Sequence, residues 1–89
     1  METNLPRHWS PIADIPVATY NAPVLAYKSK LILVLGGGAV TSILDVVQAY
    51  NVSNDSWIDG YAVMPEPRTS HCAVSQGDHV WVMGGRNPL

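Results

Sequence analysis

Among 89 residues there is one cysteine, Cys72, and no phenylalanine. A single thiol cannot close an internal disulfide framework or build a multi-cysteine zinc site, so packing must hold the chain together, and a reducing, cytoplasmic setting suits it. Charge is scarce as well. Charged residues make up 13% of the chain, the formal balance is -2, and the five Lys and Arg are scattered. No basic field is available for a phosphate backbone, which argues against nucleic-acid binding. Long apolar runs are missing too. Leu31-Ile32-Leu33-Val34-Leu35 falls far short of the roughly 20 residues that cross a bilayer as a helix. The start, Met1-Glu2-Thr3-Asn4-Leu5-Pro6-Arg7-His8, lacks the basic and apolar segments of a secretory signal, so no membrane partner is expected. Without such a signal, the sequons Asn51-Val52-Ser53 and Asn54-Asp55-Ser56 read as turn chemistry.

What is present is 47% hydrophobic, with seven Gly, seven Pro, three Trp and four Tyr. That mixture favours short strands broken by turns, and the expected fold class is all-β. Apolar segments at 22–27, 31–35, 43–50 and 56–61 are separated by Lys28-Ser29-Lys30, by a Gly-rich stretch, and by Asn51-Val52-Ser53-Asn54-Asp55. This is the pattern of a four-stranded antiparallel meander. Segments 71–75 and 80–83 flank Gln76-Gly77-Asp78, whose glycine suits a tight hairpin with positive φ.

The chain also repeats itself. Leu31-Ile32-Leu33-Val34-Leu35-Gly36-Gly37 aligns with His79-Val80-Trp81-Val82-Met83-Gly84-Gly85 at an offset of 48, and the same offset carries Trp9 onto Trp57. With one residue of slip, Ile15-Pro16 meets Met64-Pro65. Three segments result: 1–21, the end of a preceding copy with an outer strand around Trp9; 22–61, one complete four-stranded unit; and 62–89, a connection followed by the first two strands of the next unit.

A glycine pair closing an apolar strand, Tyr50 with Trp57 seven residues on, then Met64-Pro65, Arg68, His71 and the second pair Gly84-Gly85, resembles the kelch repeat, whose period is about 50 residues. A WD-type blade would need a Trp-Asp at a strand end, which Trp57-Ile58-Asp59 does not supply. The resemblance implies a partial β-propeller of four-stranded blades, needing further blades to close a ring. It assigns structural roles to Gly36, Gly37, Tyr50, Trp57, Pro65, Arg68, His71, Gly84 and Gly85. The glycines let the chain leave a strand with positive φ beside a neighbouring backbone. Tyr50 and Trp57 fill space between sheets, and Arg68 pairs between blades. At Arg68's position the earlier copy carries Thr19, so the arginine's contribution is expected not to recur.

Chemical alternatives are poorly served. Gly36-Gly37-Gly38-Ala39-Val40-Thr41 lacks the Lys-Ser/Thr of a phosphate loop and reads as a strand-end turn. His71 and Cys72 are neighbours on a strand and face opposite ways, which does not suit a shared metal. Cys72 between apolar residues reads as a small buried hydrophobe. Asp45 and Asp59 stand apart without the pairing that acid-base catalysis needs. No cofactor, metal or catalytic residue is assigned.

In a meander, alternate connections fall on one side. The tight hairpins and the 51–55 turn share one side, and the longer connections 38–42 and 66–70 share the other with the segment after Gly85. Loop length favours the second side for recognition. Kelch-like substrate adaptors bind partner peptides on the corresponding face, so the resemblance points to Thr69, Ser70, Arg86 and Asn87 as contacts with a protein partner. It implies a non-catalytic interaction module, as in cullin-linked ubiquitin ligase adaptors, or an actin-associated scaffold. A propeller segment of an oxidase or sugar-processing enzyme is the competing expectation.

Overall fold

In the computed structural model, residues 11–86 are described, and among them there is no helix. Six strands follow in order: β1 Val24–Tyr27, β2 Leu31–Gly38, β3 Ile43–Asn51, β4 Ser56–Val63, β5 Cys72–Gln76 and β6 His79–Met83. The first four form one sheet in the order β1-β2-β3-β4, and β5 pairs with β6 in a second. Every pairing is antiparallel. The chain is all-β.

Turn chemistry explains the boundaries. Between β1 and β2, Lys28 and Ser29 both take left-handed φ of 53° and 61°, and the Lys30 N–H donates to the Tyr27 carbonyl. Gly77, at φ 59°, does the same service between β5 and β6. In the β3–β4 turn the Asn51 side chain accepts from the Ser53 N–H at 2.9 Å, an Asx turn, and Asn54 accepts from the Ser56 hydroxyl. Both sequon asparagines therefore act as turn formers.

One strand runs further than its composition suggests. The glycine run was expected to form a strand-end turn, yet Gly37 and Gly38 stay in β2, paired with Leu44 and Ile43 after a shift in register between Leu35 and Gly37. The extra residue lies on β3, where Asp45 and Val46 stand opposite Gly36, and Gly36 takes a left-handed φ of 63° there. The actual turn is Ala39 to Ser42, closed by a 2.8 Å bond from the Ala39 N–H to the Ser42 carbonyl.

Side chains alternate across these strands, and the alternation builds the core. Leu33 and Leu35 of β2, Val47 and Ala49 of β3 and Met64 beyond β4 are buried together, with Leu25 and Tyr27 of β1 and Ala73, Val80 and Val82 of the second sheet packed on them. Burying a leucine or valine fully stabilises by about 1.5–3 kcal/mol, so the two-stranded sheet is held against the four-stranded one mainly through this layer. Polar ties fix the edge. Lys28 Nζ lies 2.9 Å from Asp78 Oδ1, and the Tyr27 hydroxyl donates to the Asp78 carbonyl. The hairpins at 28–30 and 76–78 consequently lie together on one side of the stack.

Candidate functional site

On the opposite side the 64–71 connection threads between the two sheets. Arg68 is the pivot. Its N–H donates to the Leu44 carbonyl, its carbonyl accepts from the Gly37 N–H at 2.8 Å, and its Nη1 reaches the Gly84 carbonyl at 2.7 Å. It thus binds the first sheet with its main chain and the second glycine pair with its side chain. Its Nη2 also lies 3.9 Å from Glu66.

The expectation that this arrangement would not recur is corrected by the structure. Thr19 Oγ1 donates to the Gly36 carbonyl at 2.7 Å, the same link one copy earlier, since Gly36 corresponds to Gly84. A hydroxyl close in replaces a guanidinium reaching from further out. The equivalence extends along both loops. Tyr20 and Gly38 exchange two main-chain bonds, as Thr69 and Arg86 do at 2.9 Å each. Asn21 and Ser70, one place further on, are both left-handed, at φ 56° and 57°, and the Ser70 N–H donates to the Asn21 carbonyl.

Close approach at these junctions requires glycine. A methyl group at Gly36 would lie 2.6 Å from Met64 Cε and 2.8 Å from the carbonyls of Arg68 and Leu44; one at Gly85 would lie 2.5 Å from His71 Cβ. Gly84 differs, since a methyl there meets nothing within 4 Å and only its φ of 70° calls for glycine.

Tyr50 and Trp57 are cross-strand partners with ring centroids 5.2 Å apart. Their polar atoms reach the sheet's edge. The Tyr50 hydroxyl donates to Asp55, which also accepts from the Ala13 N–H, while Trp57 Nε1 donates to the Ala13 carbonyl at 2.9 Å. These donors hold the Asp55 carboxyl below its ordinary range, the Tyr50 hydroxyl first and the Ala13 N–H second, and the carboxylate in turn raises the Tyr50 phenol. Gln48, a buried polar residue of β3, completes the strap. Its amide accepts from the Val17 N–H and donates to the Val17 carbonyl, both at 2.9 Å. Sequence reading did not pick out Gln48. The available signal was a long polar side chain inside Val46-Val47-Gln48-Ala49-Tyr50.

Of the proposed contact residues, Thr69 and Arg86 are brought together by their paired main-chain bonds, with Ser70 adjacent. Thr69 is buried, whereas Ser70 and Arg86 are exposed. Asn87 and Trp9 lie outside the described residues. Pro65 is exposed on the wall of a cleft of about 280 Å³ between the sheets, lined by Tyr27, Tyr61, Met64 and Val82 among others. His71 is buried. Cys72, expected to be a buried hydrophobe, is exposed: alternation turns Ala73 toward the first sheet and Cys72 away from it, where no described strand covers it. No group of three or more His, Cys, Asp or Glu among the described residues could hold a metal.

A four-stranded antiparallel sheet, stacked on the first two strands of a copy of itself and joined through paired glycines, defines a blade-forming repeat protein. Its repeats are kelch repeats, as its relatives show. The chain is 34% identical to Kelch-like protein 23 of Homo sapiens over 79 residues, 86% of this chain and 14% of that protein. It is 24% identical to Alpha-scruin of Limulus polyphemus over 79 residues, 89% of this chain and 8% of that protein. Both are kelch-repeat proteins. The chain thus spans only a small part of the length of these relatives, and no protein-family model matches it.

Proposed function

We propose that the chain is part of a non-catalytic protein-interaction module, a segment of a kelch β-propeller that captures a partner protein on the side carrying Ser70 and Arg86. The observation that supports this reading is the pairing of the Thr69 and Arg86 main chains, which leaves the side chains of Ser70 and Arg86 exposed next to one another on a rigid junction. Contacts placed on a rigid scaffold lose little entropy on binding. Similarity to Kelch-like protein 23 favours a role like that of the substrate-recognition part of a cullin-linked ubiquitin ligase adaptor, in the cytoplasm, with a protein substrate as the partner. No helix among the described residues is long and apolar enough to cross a membrane.

The test is a double variant, Arg86→Ala with Ser70→Ala, assayed by pull-down and thermal melting. Partner capture is expected to fall while the melting temperature stays unchanged, because both side chains are exposed and the junction's main-chain bonds remain. Unchanged capture removes these residues from the contact surface.

A further inference from the structure

Three buried side-chain atoms have no hydrogen-bond partner among the described residues: Thr69 Oγ1 and both ring nitrogens of His71. They lie two residues apart in the stretch that leads into β5. His71 is 7% exposed, and its Cβ sits where a methyl at Gly85 would come within 2.5 Å. The side chain is therefore confined between β2, where the Leu35 main chain acts on the ring, and Gly85, which His71 Cβ approaches. That is the seam between the two copies.

A neutral imidazole can be both donor and acceptor, whereas a protonated one carries two N–H donors and a charge. Burying that charge without a partner is costly. Among the described surrounding groups only the Leu35 main chain relieves it, and in part. On the connection stands Arg68, a like charge that acts on the ring and whose Nη2 lies 3.9 Å from Glu66. Past the glycine pair comes Arg86, also cationic. On β5 the neighbour is Cys72, on the other face. No carboxylate acts on the ring among the described residues. Burial first, and Arg68 second, hold His71 below the ordinary histidine value, with the Leu35 main chain opposing in part.

We propose that His71 is a proton-operated latch of the inter-blade seam: neutral, it seals the gap between β2 and Gly85; protonated, it withdraws and loosens the Thr69–Arg86 pairing. The direction follows from linkage. The opened seam takes up a proton that the closed seam excludes, so the latch is fully closed above the unperturbed histidine value of about 6.5 and weakens as pH falls below it. Since Arg86 is one partner of that pairing and Ser70 adjoins the other, the latch would couple pH to the surface assigned above. Its geometry does not depend on that assignment.

The test is an NMR titration of the whole chain, following the ring protons of His8, His71 and His79 together with the amide signals of Thr69 and Arg86. The His71 ring is expected to titrate below the ordinary histidine value of about 6.5, and the Thr69 and Arg86 amides to shift or broaden with the same midpoint. A His71 ring that titrates at the ordinary value, or that titrates while both amides stay unmoved, overturns the proposal. In a His71→Phe variant the pH response of those amides should vanish with the fold retained; a response that persists would also overturn it. Partner capture plays no part in either readout, so the latch and the contact surface fail separately.

Discussion

The two copies of the repeat place the same positions in opposite surroundings. Leu33 and Leu35 of β2 are 3% and 2% exposed, while their counterparts Trp81 and Met83 in β6 are 54% and 50% exposed. Leu25 of β1 packs on the core, and its counterpart Val74 in β5 is 50% exposed. The side chains are as apolar in one copy as in the other. What differs is cover, since β5 and β6 lie on the first sheet and no described strand lies on theirs. Burial in this architecture is conferred by the next copy along the stack, as expected of repeats whose stability is a sum of unit and neighbour terms.

The strongest way to break the comparison is to truncate matched positions. Leu35→Ala should lower unfolding free energy by about 2–5 kcal/mol, the usual cost of emptying a leucine site in a core. Met83→Ala should change it by no more than about 0.5 kcal/mol, as at an open surface. Chemical denaturation of the two variants measures both, and similar losses would show that the second copy is covered after all.

The glycines sharpen the same contrast with a smaller difference. Gly36→Ala meets a left-handed φ, worth about 1–2 kcal/mol, and a clash with Met64 and two carbonyls that adds about 1–3 kcal/mol of overpacking. Gly84→Ala should carry the first cost alone. A difference between the two in denaturant midpoint isolates the contribution of the packed connection, and equal midpoints would mean that the connection yields freely.

Much of this could be read from residues alone, for reasons that can be named. Gly77 marks its hairpin because φ is positive there, and the glycine pairs 36–37 and 84–85 recur at an offset of 48 after the apolar stretches of β2 and β6. The alternation in Leu31-Ile32-Leu33-Val34-Leu35 was legible as a buried strand without revealing which neighbour buries which face. Three features escaped. Thr19 stands in for Arg68 although the side chains share neither size nor charge, because the link needs only a donor to a glycine carbonyl and the distance to span differs. Gln48 clasps Val17 across 31 residues, a contact no local pattern encodes. Cys72 is exposed because exposure depends on a neighbouring sheet, and composition around a residue does not report that. As for the site, the meander's geometry put residues 66–70 and Arg86 on one side, but the burial of Thr69 and His71 required the junction itself.

Residue-by-residue hydrogen exchange under native conditions tests the central claim most directly, since it reports how each strand opens. The account predicts that amides of Leu33, Leu35, Val47 and Ala49 exchange only through global unfolding, while those of Trp81 and Met83 exchange through a cheaper, local opening of β5 and β6. Equal protection in β2 and β6 would contradict it, because the two copies would then be equally covered.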